Sequence, residues 1–194
     1  MNQTYFSMSN RFDIIDTLLQ GLKIIQCKPL GDNRGYFERL FCQTSFTELL
    51  RDKSIVQVNH TLTEKIGTLR GMHFQHPPYA ETKFVLCLKG AVYDVAIDVR
   101  THSPTFLEWH AEILGAANHK ILFIPEGFAH GFQTMTENCE MLYFHTASYN
   151  SNAEGALNAM DQQLAIEWPL PITEQSLRDK QHPMINQDFK GVEL

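Results

Sequence analysis

The strongest constraint on the fold is a series of short apolar runs with turn residues between them, from residue 56 to residue 146. The clearest run, residues 92–99, alternates apolar side chains on one face with Asp94 and Asp98 on the other. Lys89–Gly90 forms a tight turn before it. Even spacing without long helical stretches predicts an all-β barrel or sandwich of the jelly-roll kind. The predicted strands are 22–27, 36–41, 56–62, 69–74, 83–88, 91–99, 109–113, 121–124, 131–135 and 141–146.

Helical signals are few. Residues 44–50 predict a short helix that Thr44 or Ser45 could cap. The segment after residue 162 contains three prolines and predicts mostly loop, with a short helix from about Thr173. With no repeat or linker, we expect an N-terminal extension (1–16) and a single domain (17–194).

Composition narrows the function classes. A net charge of −6 argues against broad nucleic-acid binding, which needs a basic face. No apolar run is long enough for a bilayer, and the first residues lack the apolar region of a secretory signal, so we expect no membrane partner and a cytoplasmic location. The four cysteines include no C-x-x-C pair, which predicts reduced, mostly buried thiols.

Chemically versatile side chains are concentrated in residues 67–75, G-T-L-R-G-M-H-F-Q. This segment holds a cation (Arg70), an acid–base group (His73) and an amide (Gln75), and its glycines allow close approach of backbone or ligand. His73 is a candidate general base, although a core histidine bonded to a carbonyl is the simpler interpretation of the residue by itself.

Further motifs accompany this segment across nearly the whole chain from about residue 22. With residues 67–75 they are G-D-N-R-G-Y-F (31–37), Q-V-N-H (57–60), K-F-V (83–85), Y-D-V-A-I-D-V-R (93–100), S-P-T-F (103–106), I-P-E-G-F-A-H-G-F (124–132), L-Y (142–143), E-W-P (167–169) and S-L-R-D (176–179). In this order the motifs resemble those of the nucleotide-sugar 3,5-epimerases, whose usual member acts on dTDP-4-dehydro-6-deoxyglucose in the route to rhamnose. The resemblance implies a cupin-like jelly roll with a few short helices, a homodimer with swapped strands, a nucleotide-diphosphate sugar substrate, and no metal or organic cofactor.

The implied reaction inverts C3 and/or C5 of a nucleotide-linked 4-keto-6-deoxyhexose. Hydrogens beside the ketone are acidic, so the protein must add a base, a positive group near the oxyanion, and an acid on the opposite ring face. By position, the resemblance makes His73 the base, Asp179 its carboxylate partner, Tyr143 the proton donor and Lys83 the oxyanion stabiliser. Their ordinary alternatives are a core histidine, a solvated aspartate, a core aromatic residue and a solvated lysine.

Eight further positions are implied to bind the substrate, with arginine suited to the diphosphate. The chain departs from the family at Arg39 (usually Glu), Val58 (Asp), Phe144 (often Lys) and residues 159–161 (Trp-Asn-Asp or Trp-Asp-Asp). These departures leave open the nucleobase, the hexulose, and whether one or both carbons are inverted. The implied binding residues are Arg34, Arg39, Gln57, Asn59, Arg70, His130, Glu154 and Arg178.

Strand alternation presents a difficulty. In a regular strand Arg70 and His73 point to opposite faces. They share a pocket only if Gly71 marks a bulge, or if Arg70 reaches the pocket of a swapped neighbour. Asp94 and Asp98 have two interpretations as well: they orient His73 or His130, or they are structural carboxylates.

Other functions remain alternatives. His73, His76, Glu81 and His130 roughly match a cupin metal set, although their spacing is not the usual one. A nucleotide-sugar 3,4-ketoisomerase would use similar enolate chemistry, and a CDP- or GDP-sugar epimerase would differ in the base. A non-catalytic sugar-binding cupin would need no base and acid on opposite ring faces.

Overall fold

The computed structural model describes residues 11–194, in which thirteen strands and two one-turn helices are formed. None of the described helices has the length and apolar character needed to cross a membrane. The elements are β1 Phe12–Asp16, β2 Lys23–Cys27, β3 Leu30–Asp32, β4 Gly35–Phe37, α1 Thr47–Leu50, β5 Gln57–Thr63, β6 Leu69–Gln75, β7 Lys83–Lys89, β8 Ala91–Asp98, β9 Trp109–Gly115, β10 Lys120–Ile124, β11 Phe128–Thr134, β12 Cys139–His145, β13 Glu154–Ala156 and α2 Leu177–Lys180.

Two antiparallel sheets form the body of the protein. One has the strand order β1-β2-β10-β7-β12-β5 and the other β13-β6-β11-β8-β9, while β3 and β4 form a separate hairpin. The chain crosses repeatedly between the two sheets, as in a jelly roll. The prediction of an all-β, cupin-like jelly roll with few helices is therefore confirmed.

Apolar side chains fill the space between the sheets. Val85 and Met141 from the first sheet pack in one buried cluster with Val92 and Phe132 from the second. This inner layer holds the sheets face to face, and the functional cavity lies in the same inter-sheet space.

Each sheet is also covered on its outer face. Successive residues of a strand point to opposite faces of the sheet, and here both sets include apolar side chains, so both faces pack against other parts of the chain. Phe46, from the segment leading into α1, packs on Phe84 of the first sheet with ring centroids 5.1 Å apart. The chain after β12 covers the second sheet, where Leu157 and Ile185 join the apolar face of β8. The C-terminal segment is thereby held against β6.

Several element boundaries differ from the predictions. The strand predicted for 36–41 is the shorter β4, which ends at Phe37. It pairs only with the three-residue β3, and Phe37 lies opposite Leu30, the first residue of β3. The helix predicted for 44–50 is the single turn α1, preceded by Phe46 without a side-chain cap. Strand β13 was not predicted. In the predicted N-terminal extension, β1 pairs with β2, and residues 1–10 lie outside the described part.

Candidate active site

A bulge in β6 brings Arg70 and His73 to one cavity. His73 lies opposite His130 on β11 and Arg70 opposite Phe132, so three steps along β6 match two along β11. At this shift Gly71 has φ +128°, and a Cβ there would lie 2.5 Å from the Gly131 Cα. Of the two ways for Arg70 to reach the site, the structure therefore has the bulge.

The cavity lies between the sheets, has a volume of about 230 Å³, and is lined mainly by polar side chains. An adjoining hollow of about 370 Å³ shares four of these side chains and adds Gln57 and Glu154. Eight of the twelve predicted site residues thus face one continuous space. The six in the cavity are Asn59, Arg70, His73, Lys83, His130 and Tyr143.

Asp179 lies behind His73, on α2. The Asp179 N–H donates to the Ser176 side chain at 3.0 Å, which begins the helix and orients the carboxylate. His73 Nε2 lies 2.9 Å from Asp179 Oδ1. Burial acts to raise the pKa of Asp179, but the hydrogen bond from His73 and the charge of that ring hold it below its usual value. Asp179 is therefore an anion that can fix the His73 tautomer.

His182 is a neighbour of this pair that the sequence analysis missed. Its Nε2 lies 3.1 Å from Asp179 Oδ1 and 3.1 Å from His73 Nε2. Burial, together with the neighbouring His73 charge, lowers the pKa of His182. The available signal was its position three residues after Asp179, just beyond a short helix, which puts both side chains on one side of the turn.

Lys83 is held by a network that the sequence analysis also missed. Its Nζ lies 3.1 Å from Glu81 Oε1, and His145 Nδ1 lies 2.7 Å from Glu81 Oε2. Asn59 Nδ2 contacts His145 Nε2 at 3.3 Å. Burial opposes ionisation of Glu81, yet the hydrogen bond with His145 and the Lys83 charge lower its pKa. The network holds a buried ammonium at the cavity wall.

Tyr143 and His130 form another part of the wall, with ring centroids 6.2 Å apart. Burial raises the pKa of Tyr143 well above that of a free phenol, so the group stays protonated at neutral pH. His130 Nε2 lies 2.9 and 3.0 Å from the two carboxylate oxygens of Asp94. Asp94 therefore orients His130, while Asp98 binds Arg100 and is structural.

Three predicted arginines lie outside the cavity. Arg178 pairs with Glu154 beside a wide groove of about 920 Å³ that borders the hollow. Arg34 is exposed in the β3–β4 turn, where it pairs with Asp32 at 2.5 Å. Arg39 is exposed as well, and neither Arg34 nor Arg39 lines the cavity or the hollow.

The alternative cupin metal set is not assembled. Glu81 is engaged by His145 and Lys83, and His130 by Asp94. Within residues 11–194, one group of three or more possible ligands lies close enough to hold a metal ion: His73, Asp179 and His182.

Of the departures from the family, Phe144 has a clear packing role. Its ring stacks on Phe41 with centroids 5.6 Å apart, on the outer face of the first sheet. It therefore lies on the opposite side of β12 from Tyr143 and does not enter the cavity.

A jelly roll with an oriented imidazole, a buried ammonium and a protonated phenol around one polar cavity has the groups that acid–base chemistry at carbon requires, so fold and site together define a cupin-like acid–base enzyme. Comparison with known proteins makes the class specific. The family model for dTDP-4-dehydrorhamnose 3,5-epimerase matches residues 16–187. The chain therefore belongs to the dTDP-4-dehydrorhamnose 3,5-epimerase family and is an epimerase, an enzyme of the isomerase class.

Individual relatives agree over most of the chain. The dTDP-4-dehydrorhamnose 3,5-epimerase of Salmonella typhimurium is 42% identical over 176 residues, which cover 90% of this chain and 96% of that protein. A dTDP-6-deoxy-D-glucose-3,5-epimerase from Legionella pneumophila, solved with dTDP-4-keto-L-rhamnose, has a TM-score of 0.86 at 36% identity, covering 93% of this chain and 98% of that one. A 3'-monoepimerase from Streptomyces bikiniensis, solved with dTDP-quinovose, has a TM-score of 0.81 at 27% identity, covering 88% and 86%.

Proposed function

We propose that this enzyme inverts both C3 and C5 of dTDP-4-dehydro-6-deoxyglucose, the step that leads toward dTDP-rhamnose. The observation that carries the proposal is that His73, Tyr143 and Lys83 face one cavity, with Asp179 bonded to His73. Relatives with 3,5-epimerase activity in their names support the choice of substrate.

The cycle begins at His73. When Nε2–H donates to Asp179, Nδ1 has the lone pair, and it takes the proton from the carbon beside the ketone. The C–H electron pair moves into an enolate, whose oxygen the Lys83 ammonium stabilises. The Tyr143 phenol then protonates the same carbon from the opposite ring face, which inverts it. Water reprotonates Tyr143, His73 returns its proton to solvent, and the second carbon follows the same course.

Groups around these three catalytic side chains bind the nucleotide diphosphate in this proposal. Arg70, Asn59 and Gln57 line the cavity or hollow, where a guanidinium and two amides suit phosphate and sugar oxygens. Arg178 lies at the outer end of the hollow, where it pairs with Glu154 of the hollow wall.

Arg34 and Arg39 serve the site of a second copy in this proposal. The β3–β4 hairpin is exposed and presents Tyr36 and Phe37, which are 64% and 61% exposed, together with Arg34. An exposed apolar hairpin, next to two arginines that line neither the cavity nor the hollow of their own chain, suits a strand-swapped homodimer. We also expect the enzyme in the cytoplasm, where nucleotide sugars would be available.

The decisive experiment follows solvent hydrogen. The protein is incubated with dTDP-4-keto-6-deoxyglucose in D₂O, and label is located by mass spectrometry and NMR. Deuterium at both C3 and C5 is expected. Label at one carbon only would make this a monoepimerase, the activity named for the Streptomyces bikiniensis neighbour.

Three further experiments separate the remaining alternatives. His73→Asn should bind dTDP but incorporate no deuterium; a wild type that binds and never exchanges would be a sugar-binding protein. Product NMR separates epimerisation from 3,4-ketoisomerisation, which moves the carbonyl. Matched CDP- and GDP-sugars test the base.

A further inference from the structure

Three side chains meet in a triangle that the epimerase reaction does not require. His73 Nε2, Asp179 Oδ1 and His182 Nε2 are separated by 2.9, 3.1 and 3.1 Å. His73 and Asp179 belong to the proposed reaction, whereas His182 is the additional member.

Hydrogen bonds alone leave the triangle incompletely satisfied. A neutral imidazole nitrogen either donates one proton or accepts one, and a carboxylate only accepts. Two nitrogens supply at most two protons for three contacts. If both donate to Asp179, their N–H groups face each other 3.1 Å apart; if one accepts from the other, it gives up its bond to the carboxylate.

The same triangle suits a cation. A first-row divalent metal takes imidazole nitrogen and carboxylate oxygen at roughly 2.0–2.2 Å, so two ligands at a right angle lie about 3 Å apart. The observed separations match one triangular face of such a coordination shell. Two histidines and a carboxylate on one face are a recurrent metal-binding set that leaves other positions open. We propose that His73, Asp179 and His182 form a binding site for a first-row divalent cation such as Zn²⁺.

Access and charge also favour a cation here. The His73 side chain is 34% exposed at the cavity, and His182 lines the wide groove on the other side. An ion can therefore arrive, and water can occupy its remaining positions. Asp179 supplies the negative charge that two neutral imidazoles lack.

Occupancy would switch off the proposed base, a consequence that rests on the proposed function. Coordination takes the Nε2 lone pair of His73, so the single proton of the neutral ring must sit on Nδ1. That is the nitrogen that must be free to accept a proton from carbon. The site is therefore inhibitory, and a bound cation lowers kcat and not only substrate affinity.

Metal binding is tested without any sugar. Metal-free wild type, His182→Gln and His182→Ala are dialysed against Zn²⁺, and bound metal is counted by mass spectrometry; Co²⁺ is added separately and its visible d–d absorption recorded. His60→Gln is the matched control, because it removes an exposed histidine, paired with Glu140, from outside the triangle. Circular dichroism establishes which variants are folded.

Wild type and His60→Gln should bind one Zn²⁺ per chain that both folded His182 variants lack, and their Co²⁺ absorption should be lost with His182. Equal binding by wild type and His182→Gln, or no saturable binding by wild type, would overturn the proposal. In the activity arm, Zn²⁺ should reduce wild-type kcat by roughly 10²- to 10⁴-fold, reversibly with EDTA, as expected when the general base is held in the wrong tautomer. Each His182 variant, compared with its own metal-free rate, should be insensitive. If no epimerase activity exists at all, the dialysis result still decides the metal site.

Discussion

At the scale of single residues, the chemistry of His73 depends on what its two nitrogens meet. Nε2 faces a carboxylate whose pKa is held low, which keeps the proton on that side of the ring. The same imidazole facing a backbone carbonyl would be an ordinary core residue. In the proposed mechanism, it is this partner that makes the histidine a base.

Asp179→Asn tests this dependence. The amide can donate to Nε2 and favour the wrong tautomer, so we expect kcat to fall by roughly 10²- to 10⁴-fold with substrate affinity little changed. Steady-state kinetics and the deuterium wash-in rate measure the effect. Asp16→Asn, at a carboxylate that is 82% exposed on β1, should behave as wild type. Equal rates for Asp179→Asn and wild type would remove Asp179 from the mechanism.

Tyr143 gives a prediction about pH. Because burial raises its pKa above the ordinary value of 10.0, the folded protein should keep this phenol protonated at pH 10. An ultraviolet titration of wild type minus Tyr143→Phe should therefore show no phenolate signal near pH 10. A full phenolate step at that pH would mean that the phenol is exposed to water. Tyr143→Phe should also abolish inversion, since no other acid is assigned to that ring face.

At the scale of elements, the β6 bulge decides which side chains share the cavity. It exists because Gly71 and Gly131 let two backbones approach more closely than side chains would allow. Without the extra residue, alternation would send Arg70 and His73 to opposite faces of the sheet.

Gly71→Ala should destabilise the protein by about 2–4 kcal/mol, because the new Cβ would lie 2.5 Å from Gly131 Cα at a backbone of positive φ. Denaturant unfolding measures the change. Gly35→Ala is the matched control: its φ is +129°, but a Cβ there meets nothing within 4 Å. The two variants therefore separate the cost of crowding from the cost of the dihedral angle. Similar losses in both would show that close packing at the bulge is unimportant.

At the scale of the whole molecule, the exposed hairpin and its arginine point beyond a single chain. Arg34 lies away from the cavity that its family position implies, beside the exposed aromatic residues of β4. In the proposed homodimer, it completes the site of its neighbour, so each site draws on two chains.

Mixed dimers test this arrangement. Arg34→Ala and His73→Asn should each be strongly impaired alone, the first in KM and the second in kcat. After unfolding and refolding together, half of the dimers are mixed and each has one intact site, so about a quarter of wild-type activity should return. Activity no greater than the average of the two parents would place Arg34 outside the partner's site. Sedimentation of the wild type establishes the dimer itself.

Much of this protein was predictable from local signals. The jelly roll follows from short alternating segments between turns, and the positions of His73, Lys83, Tyr143 and Asp179 follow from motifs in family order. Such signals span only a few residues, so the sequence by itself determined the strands and the chemical types available to the site.

Tertiary structure decided which of those groups meet. The pair His73–Asp179 joins positions 106 residues apart, and the Glu81–His145 contact that holds Lys83 spans 64 residues. Whether Arg70 shares the cavity depended on a bulge, and His182 entered the triangle only because α2 packs against β6. Spacing along a chain does not encode such distances, since they arise from how whole sheets and their covering segments pack.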